Sequence, residues 1–192
     1  MKIAGGQYKG RIIKVPKIRN IRPSTEKTRE AIFSALGADI IDSTVADLFC
    51  GSGALGLEAL SRGACQALFV DSNHGAAVAV RESIKGLGVG NESRVMTMNV
   101  FHLRPKHLQG VGIIFADPPY RGGYARKLLT LLSLPNFNWY GILILEHEAE
   151  WENDGIEFRL LRRLNFGDTS VSFLIRNRLD EKAGHQKGNS DG

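Results

Sequence analysis

The sequence predicts an α/β fold: a mostly parallel, seven-stranded sheet ending in an antiparallel hairpin, preceded by a small N-terminal β-hairpin and helix. Three observations carry this expectation. From Thr44 to Glu146, short apolar runs alternate with helical segments, the order that builds a parallel sheet with helices on both faces. Two strand-like runs, Glu157–Leu164 and Thr169–Arg176, then flank a turn at Asn165-Phe166-Gly167-Asp168. The first 30 residues stand apart by charge, with nine basic side chains against Glu26 and Glu30, a net +7 in a chain of net +5.

Taken in order, residues 1–22 read as short strands broken by Gly5-Gly6 and Gly10 and stopped at Arg22-Pro23. Ser24 or Thr25 is placed to cap a helix starting near Glu26, with Ala31, Ile32, Ala35 and Leu36 on its apolar face and Lys27, Arg29 and Glu30 facing elsewhere. Strands follow at Thr44–Leu48, Gln66–Asp71, Arg94–Met98, Val111–Ala116 and Gly141–Glu146. Helices fall at Leu55–Arg62, Asn73–Gly86 and Tyr124–Leu132, with helical turns within Phe101–Leu108. The division expected is a basic extension over 1–36, a main domain over 37–177 and a polar, glycine-rich, disordered tail over 178–192.

Composition narrows the class. No apolar run approaches the roughly 18 residues of a membrane span, and Met1–Gly6 lacks an apolar signal region. Cys50 and Cys65 lack a paired spacing and read as reduced thiols of a cytoplasmic protein. The basic N-terminal segment is an electrostatic footprint for a polyanion, with Lys9, Arg11, Lys14, Arg22 and Arg29 as candidate phosphate contacts.

Two motifs carry chemistry. Asp117-Pro118-Pro119-Tyr120 follows an apolar strand and combines a carboxylate, stiff extended backbone and an aromatic ring. Such a site suits a planar base bearing an exocyclic amine: Asp117 and the Pro118 carbonyl accept from the amine, and Tyr120 stacks on the ring. Arg121 and Tyr124 flank a Gly122-Gly123 hinge that would let this loop close over the base. The second motif, Gly51-Ser52-Gly53-Ala54-Leu55-Gly56, has the G-x-G-x-x-G spacing, with Asp71 twenty residues after its first glycine. Either a dinucleotide or S-adenosylmethionine fits that pattern. Asp47 favours the latter, because a carboxylate before the loop receives an ammonium and gains nothing from a pyrophosphate. The short chain and the Asp117–Tyr120 segment also argue against hydride transfer. Cofactor contacts are expected from Asp47, Phe49, Gly51, Ser52, Gly53, Asp71, Ser72, Asn99, Val100 and Phe101, and no metal is needed. The five histidines are scattered, and Glu146-His147-Glu148 reads as structural.

Longer stretches carry a resemblance. Asp47–Gly53, Gly56–Ala64 and Asp117–Tyr120, with Gly5–Arg11, Arg22–Phe33 and Phe166–Thr169, resemble the bacterial 16S ribosomal RNA (guanine(966)-N(2))-methyltransferases over residues 1–177. That resemblance implies a Rossmann-like class I methyltransferase, S-adenosylmethionine as methyl donor and the N2 amine of G966 as acceptor. It also implies a cytoplasmic monomer whose partner is 16S ribosomal RNA within a small-subunit particle or assembly intermediate. Two positions depart from the pattern: Asn99 stands where an acidic residue would meet the adenine amine, and Ser83 where asparagine is common. A DNA adenine-N6 methyltransferase and a non-catalytic RNA-binding assembly factor are the rival readings.

Overall fold

The computed structural model describes residues 1–16, 25–120, 122–151 and 157–177. Seven strands form a single sheet: β1 (Thr44–Leu48), β2 (Gln66–Asp71), β3 (Ser93–Thr97), β4 (Ile113–Ala116), β5 (Ile142–Glu148), β6 (Phe158–Phe166) and β7 (Thr169–Arg176). Their spatial order is β3-β2-β1-β4-β5-β7-β6, parallel through β5 and antiparallel beyond it. The order reverses direction between β1 and β4, and the C-terminal ends of those strands frame the crevice where ligands bind in open α/β sheets.

Successive side chains along a strand point to opposite faces, which divides the core in two. Val45, Phe69, Ile113, Phe115 and Ile144 pack with α1 (Glu26–Leu36), α2 (Ala54–Ser61) and α3 (His74–Leu87). Ala46, Leu48, Ile114, Ala116 and Leu145 pack on the other face with α4 (Tyr124–Ser133) and the 3-10 turns near Val100 and Pro105. By the same alternation, Asp47, Asp117 and Glu146 all fall on the first face.

The N-terminal segment is welded to α2. Ala4 N–H and Gly5 N–H donate to the Glu58 carboxylate at 2.8 and 2.7 Å, and Ser61 Oγ bonds both Gly5 O and Tyr8 N–H. Gly6 sits at φ +75°, where a side chain would collide with the Ser61 carbonyl. Two sequence stretches noted separately, Gly5–Arg11 and Gly56–Ala64, are therefore the two halves of one joint. Ile3 and Ile13 are buried beneath it, each contributing roughly 1.5–3 kcal/mol by its removal from water. The expected hairpin is short, one bridge from Lys2 to Ile12 with Ile3 N–H on the Arg11 carbonyl and Ile13 N–H on the Met1 carbonyl, while the donors of Ala4 and Gly5 turn to α2. Ser83, one of the two departures, accepts from Lys14 N–H and so holds the same segment against α3.

Arg29 corrects the sequence reading. It is only 2% exposed, on the same face of α1 as Ile32, Phe33 and Leu36, and donates to the Lys2 carbonyl and Met1 sulfur. A guanidinium so enclosed pins the N-terminus and does not meet a phosphate. Residues 17–24 with Arg22, Arg121 and the tail from 178 lie outside the described residues. Both cysteines are free, Cys50 buried and Cys65 exposed. Among the described residues no helix is long and apolar enough to cross a membrane.

Candidate active site

The loop after β1 is shaped by unusual backbone. Phe49 holds φ +57°, a left-handed conformation that costs a non-glycine residue and clusters at functional sites. Gly53, at φ +71°, ends the loop as the N-cap of α2, and any side chain there would strike Val80 and Phe69. The loop is tied down by two carboxylates. Asp71 accepts from Gly51 N–H (2.9 Å) through one oxygen and from Asn73 N–H (2.8 Å) through the other, while Asp47 accepts from Gly56 N–H at 2.9 Å.

Asp47 is 3% exposed, deeper than a surface ammonium receptor needs to be. Burial pushes its carboxyl up to about 8; the Gly56 bond opposes this and Asp71 adds to it. A nearby cation would reverse that shift and keep the group ionised. Ser52 is buried in the loop, Ser72 is exposed beside Asp71, and the Val100 side chain belongs to the core, so only its backbone is placed for a ligand. Asn99, the other departure, accepts from Phe101 N–H at 2.9 Å and thereby caps the 3-10 turn. Phe101 is half-buried, with Phe49 edge-on at 5.9 Å and Tyr124 stacked at 5.8 Å. Tyr124 thus leans on the glycine-loop side of the crevice as well as following the Gly122-Gly123 bend.

The Asp117–Tyr120 segment leaves β4 into the same crevice. Ala116 is paired with Leu145, so the next residues, Asp117 and Glu146, emerge side by side. Burial raises the Asp117 carboxyl well above the usual carboxylate range, and Glu146 and Asp47 raise it further. Among the described residues, none donates a hydrogen bond to the Asp117 carboxylate or the Pro118 carbonyl. Their acceptor capacity faces outward from the protein's own network.

Tyr120 is fixed by its hydroxyl, which lies 2.9 Å from Thr169 Oγ1 and donates to Glu146 Oε1 at 3.2 Å. Its phenol is pushed up to about 12, chiefly by burial; Thr169 opposes the shift, and Glu146 and Asp117 add to it. Tyr120 remains 39% exposed and borders a cavity of about 390 Å³, walled also by Pro118, Tyr124, Arg126, Glu146 and Trp151. That size falls within the range of small-molecule sites. Sequence reasoning missed Thr169, Trp151 and Glu146 as site residues. Thr169 meets the Tyr120 hydroxyl from the terminal hairpin, and Trp151 lines the cavity from the turn after β5. In sequence Glu146 adjoins His147, whose ring bonds Ser172 Oγ and the Glu148 carbonyl as a structural element.

Lys9 and Lys14 are exposed, whereas exposed Arg11 has one guanidinium nitrogen on the Gly86 carbonyl. They flank Ile12, 71% exposed at the bridge. The glycine loop and the Asp117 edge converge in one crevice, and the basic segment lies on the outer side of α2 and α3.

A protein-family model described as conserved hypothetical protein 95 matches residues 1–175. The chain belongs to this family. It is 36% identical over 132 residues to ribosomal RNA small subunit methyltransferase D of Escherichia coli (strain K12), a match covering 69% of this chain and 66% of that relative's length. The solved structure of the putative methyltransferase yhhF from Escherichia coli superposes with a TM-score of 0.77 at 30% identity, covering 92% of this chain and 97% of that one. An RNA methyltransferase from Salinibacter ruber, solved with S-adenosyl-L-homocysteine, shares the fold at a TM-score of 0.64 and 14% identity, covering 82% and 96% of the two chains. The family's fold is therefore that of the Rossmann-like methyltransferases.

Proposed function

We propose that this chain transfers a methyl group from S-adenosylmethionine to the exocyclic N2 amine of a guanine in 16S ribosomal RNA, at the position the resemblance gives as G966. The observation that carries this reading is Asp117: a carboxylate at the switch point of the sheet, beside the Pro118 carbonyl and the Tyr120 ring, engaged by none of the described residues. The names of the relatives support ribosomal RNA as the substrate.

The residues present fit the methyl donor. Asp71, Asn99 and Phe101 would hold its adenosine, and Asp47 with the Phe49–Gly53 backbone would face its amino-acid end. S-adenosylmethionine brings a methyl on a positively charged sulfur that departs as a neutral thioether. The protein's part is alignment, which on its own contributes on the order of 7–11 kcal/mol to a bimolecular step. Asp117 and the Pro118 carbonyl accept from the amine hydrogens and turn its nitrogen towards the donor. Tyr120, held by Thr169 and Glu146, supplies a fixed wall for a base drawn out of its stack. Positive charge builds on the nitrogen as the N–C bond forms and the S–C bond breaks; Asp117 stabilises it, and one amine proton then leaves to solvent to give the neutral methylamine.

Residues 1–36 act as the RNA-gripping extension of this monomer in the cytoplasm, through Lys9, Arg11 and Lys14, with Arg22 and Arg121 assigned the same role. The substrate is 16S RNA in a small-subunit particle or assembly intermediate. Tritiated methyl transfer to small-subunit particles, protein-free 16S RNA and DNA, measured separately, tests this. Label in the ribosomal substrates alone is expected. Label in DNA alone would favour an adenine-N6 enzyme, and no single turnover on any substrate would favour a non-catalytic factor.

A further inference from the structure

Trp151 is a half-buried wall of the cavity that the chemistry above leaves without a task. The turn after β5 holds it at several points. Its N–H donates to the Glu148 carbonyl at 3.0 Å, and its carbonyl accepts from the Arg163 guanidinium at 3.2 Å. Its ring lies 4.4 Å from that of His147, tilted by 48°. His147 is itself fixed: it is 1% exposed, with ring nitrogens 2.7 Å from the Glu148 carbonyl and 2.8 Å from Ser172 Oγ. Arg163 Nε donates to the same Ser172 oxygen at 3.4 Å. The run Glu146-His147-Glu148 thus builds a platform under an indole at the cavity.

Tyr120 and Trp151 reach this cavity from opposite faces of the sheet. Along β5, Ile144 and Leu145 belong to different cores, so Glu146 follows Ile144 onto the first face and His147 follows Leu145 onto the second. Tyr120 is anchored on Glu146, whereas Trp151 packs on His147 and the second core. Tyr124 also lines the cavity, but its ring is engaged by Phe101, by Phe49 edge-on at 6.5 Å and by the Lys127 ammonium at 5.3 Å. We propose that Trp151 is a base-binding residue: its indole stacks on the face of the target base turned away from Tyr120. The inference rests on the reading above in needing a base drawn into the cavity; stacking itself is indifferent to which base. A base held on one face can swing about it. Two walls fix its plane, and with it the direction in which the amine points.

The test uses small-subunit particles reconstituted from 16S RNA that carries, at the mapped target, either guanosine or an abasic riboside introduced by splinted ligation. Affinities are measured with S-adenosylhomocysteine present. Trp151→Leu should weaken binding of the guanosine particle by about 5- to 150-fold, the worth of one stacked base. The abasic particle keeps the phosphate contacts and should change by less than about threefold. Trp151→Phe, which retains an aromatic face, should stay within about threefold on both. Equal weakening on the two particles, or none on either, would overturn the proposal, the former marking Trp151 as a structural or backbone contact. Hydroxyl-radical footprinting of the wild-type chain reads the same contact without any variant. Oxidation of Trp151 should fall on binding the guanosine particle and not the abasic one, with buried Trp139, its Nε1–H on the Val111 carbonyl, as the silent control. Equal protection by both particles would also overturn it. A guanosine particle that accepts no methyl group from the wild-type protein defeats the guanine N2 reading itself, a result separate from all of these.

Discussion

The crevice at the ends of β1, β4 and β5 and the N-terminal segment on α2 carry opposite charge and use it in opposite ways. In the crevice, burial first and neighbouring carboxylates second make ionisation of Asp47 and Asp117 costly. Over residues 1–16 the charges are lysines and an arginine held at the surface, while the carboxylate that anchors them, Glu58, is spent on backbone donors. The difference separates two tasks that nucleic-acid enzymes combine. Reading a base edge takes a few desolvated acceptors of fixed geometry, whereas holding a phosphate backbone takes solvated cations.

Breaking the crevice should have the largest effect. Asp117→Ala should lower methyl transfer on the order of 100- to 1000-fold, while S-adenosylhomocysteine affinity by calorimetry stays within about threefold; near-normal turnover would remove Asp117 from the mechanism. Severing the joint comes next. Glu58→Ala leaves Ala4 N–H and Gly5 N–H unpaired in a buried setting and should destabilise the fold by about 2–4 kcal/mol, read by chemical denaturation. An unchanged midpoint would mean that the segment docks by Ile3 and Ile13 alone.

The surface should respond through salt. Replacing Lys9, Arg11 and Lys14 together with alanine should lower the slope of log affinity against log salt by about two for single-stranded RNA. An unchanged slope would move the RNA face elsewhere. The smallest effect concerns Asp47. Because burial holds its carboxyl up to about 8, well above an unfolded aspartate, the ligand-free protein keeps that proton through neutral pH. A cationic ligand must displace it, so S-adenosylhomocysteine affinity should rise with pH up to about 8 by at most roughly tenfold per unit, then level. Asp47→Asn should flatten that profile. Folding stability follows the opposite sign: Asp47 contributes most below about pH 4, and that contribution is lost as pH rises to about 8.

Most of the sheet was legible in the sequence because its central strands are short apolar runs ended by a glycine, proline or polar residue. Gln66–Asp71 and Thr169–Arg176 match the structure residue for residue. The glycine loop was legible for a similar reason, since local spacing dictates local backbone. What was not legible depends on register. Thr169 meets Tyr120 only because β7 pairs with β5, and Glu146 meets Asp117 only through the pairing of β4 with β5. Arg29 was misread although its signal was present: it precedes Ile32 and Phe33 by three and four positions, within the buried stripe of α1. A charged residue in that stripe reads as solvent-facing from local sequence, because the N-terminus that covers it is distant along the chain.

The central claim is that the crevice methylates guanine N2, and the nucleoside product tests it most directly. Ribosomal RNA from a strain lacking this gene, and from the same strain with it restored, would be digested and the modified nucleosides mapped by mass spectrometry. One N2-methylguanosine in 16S RNA should appear only on restoration and fail to appear with Asp117→Ala. An N6-methyladenosine restored in its place, or no gene-dependent change in 16S RNA, would contradict it.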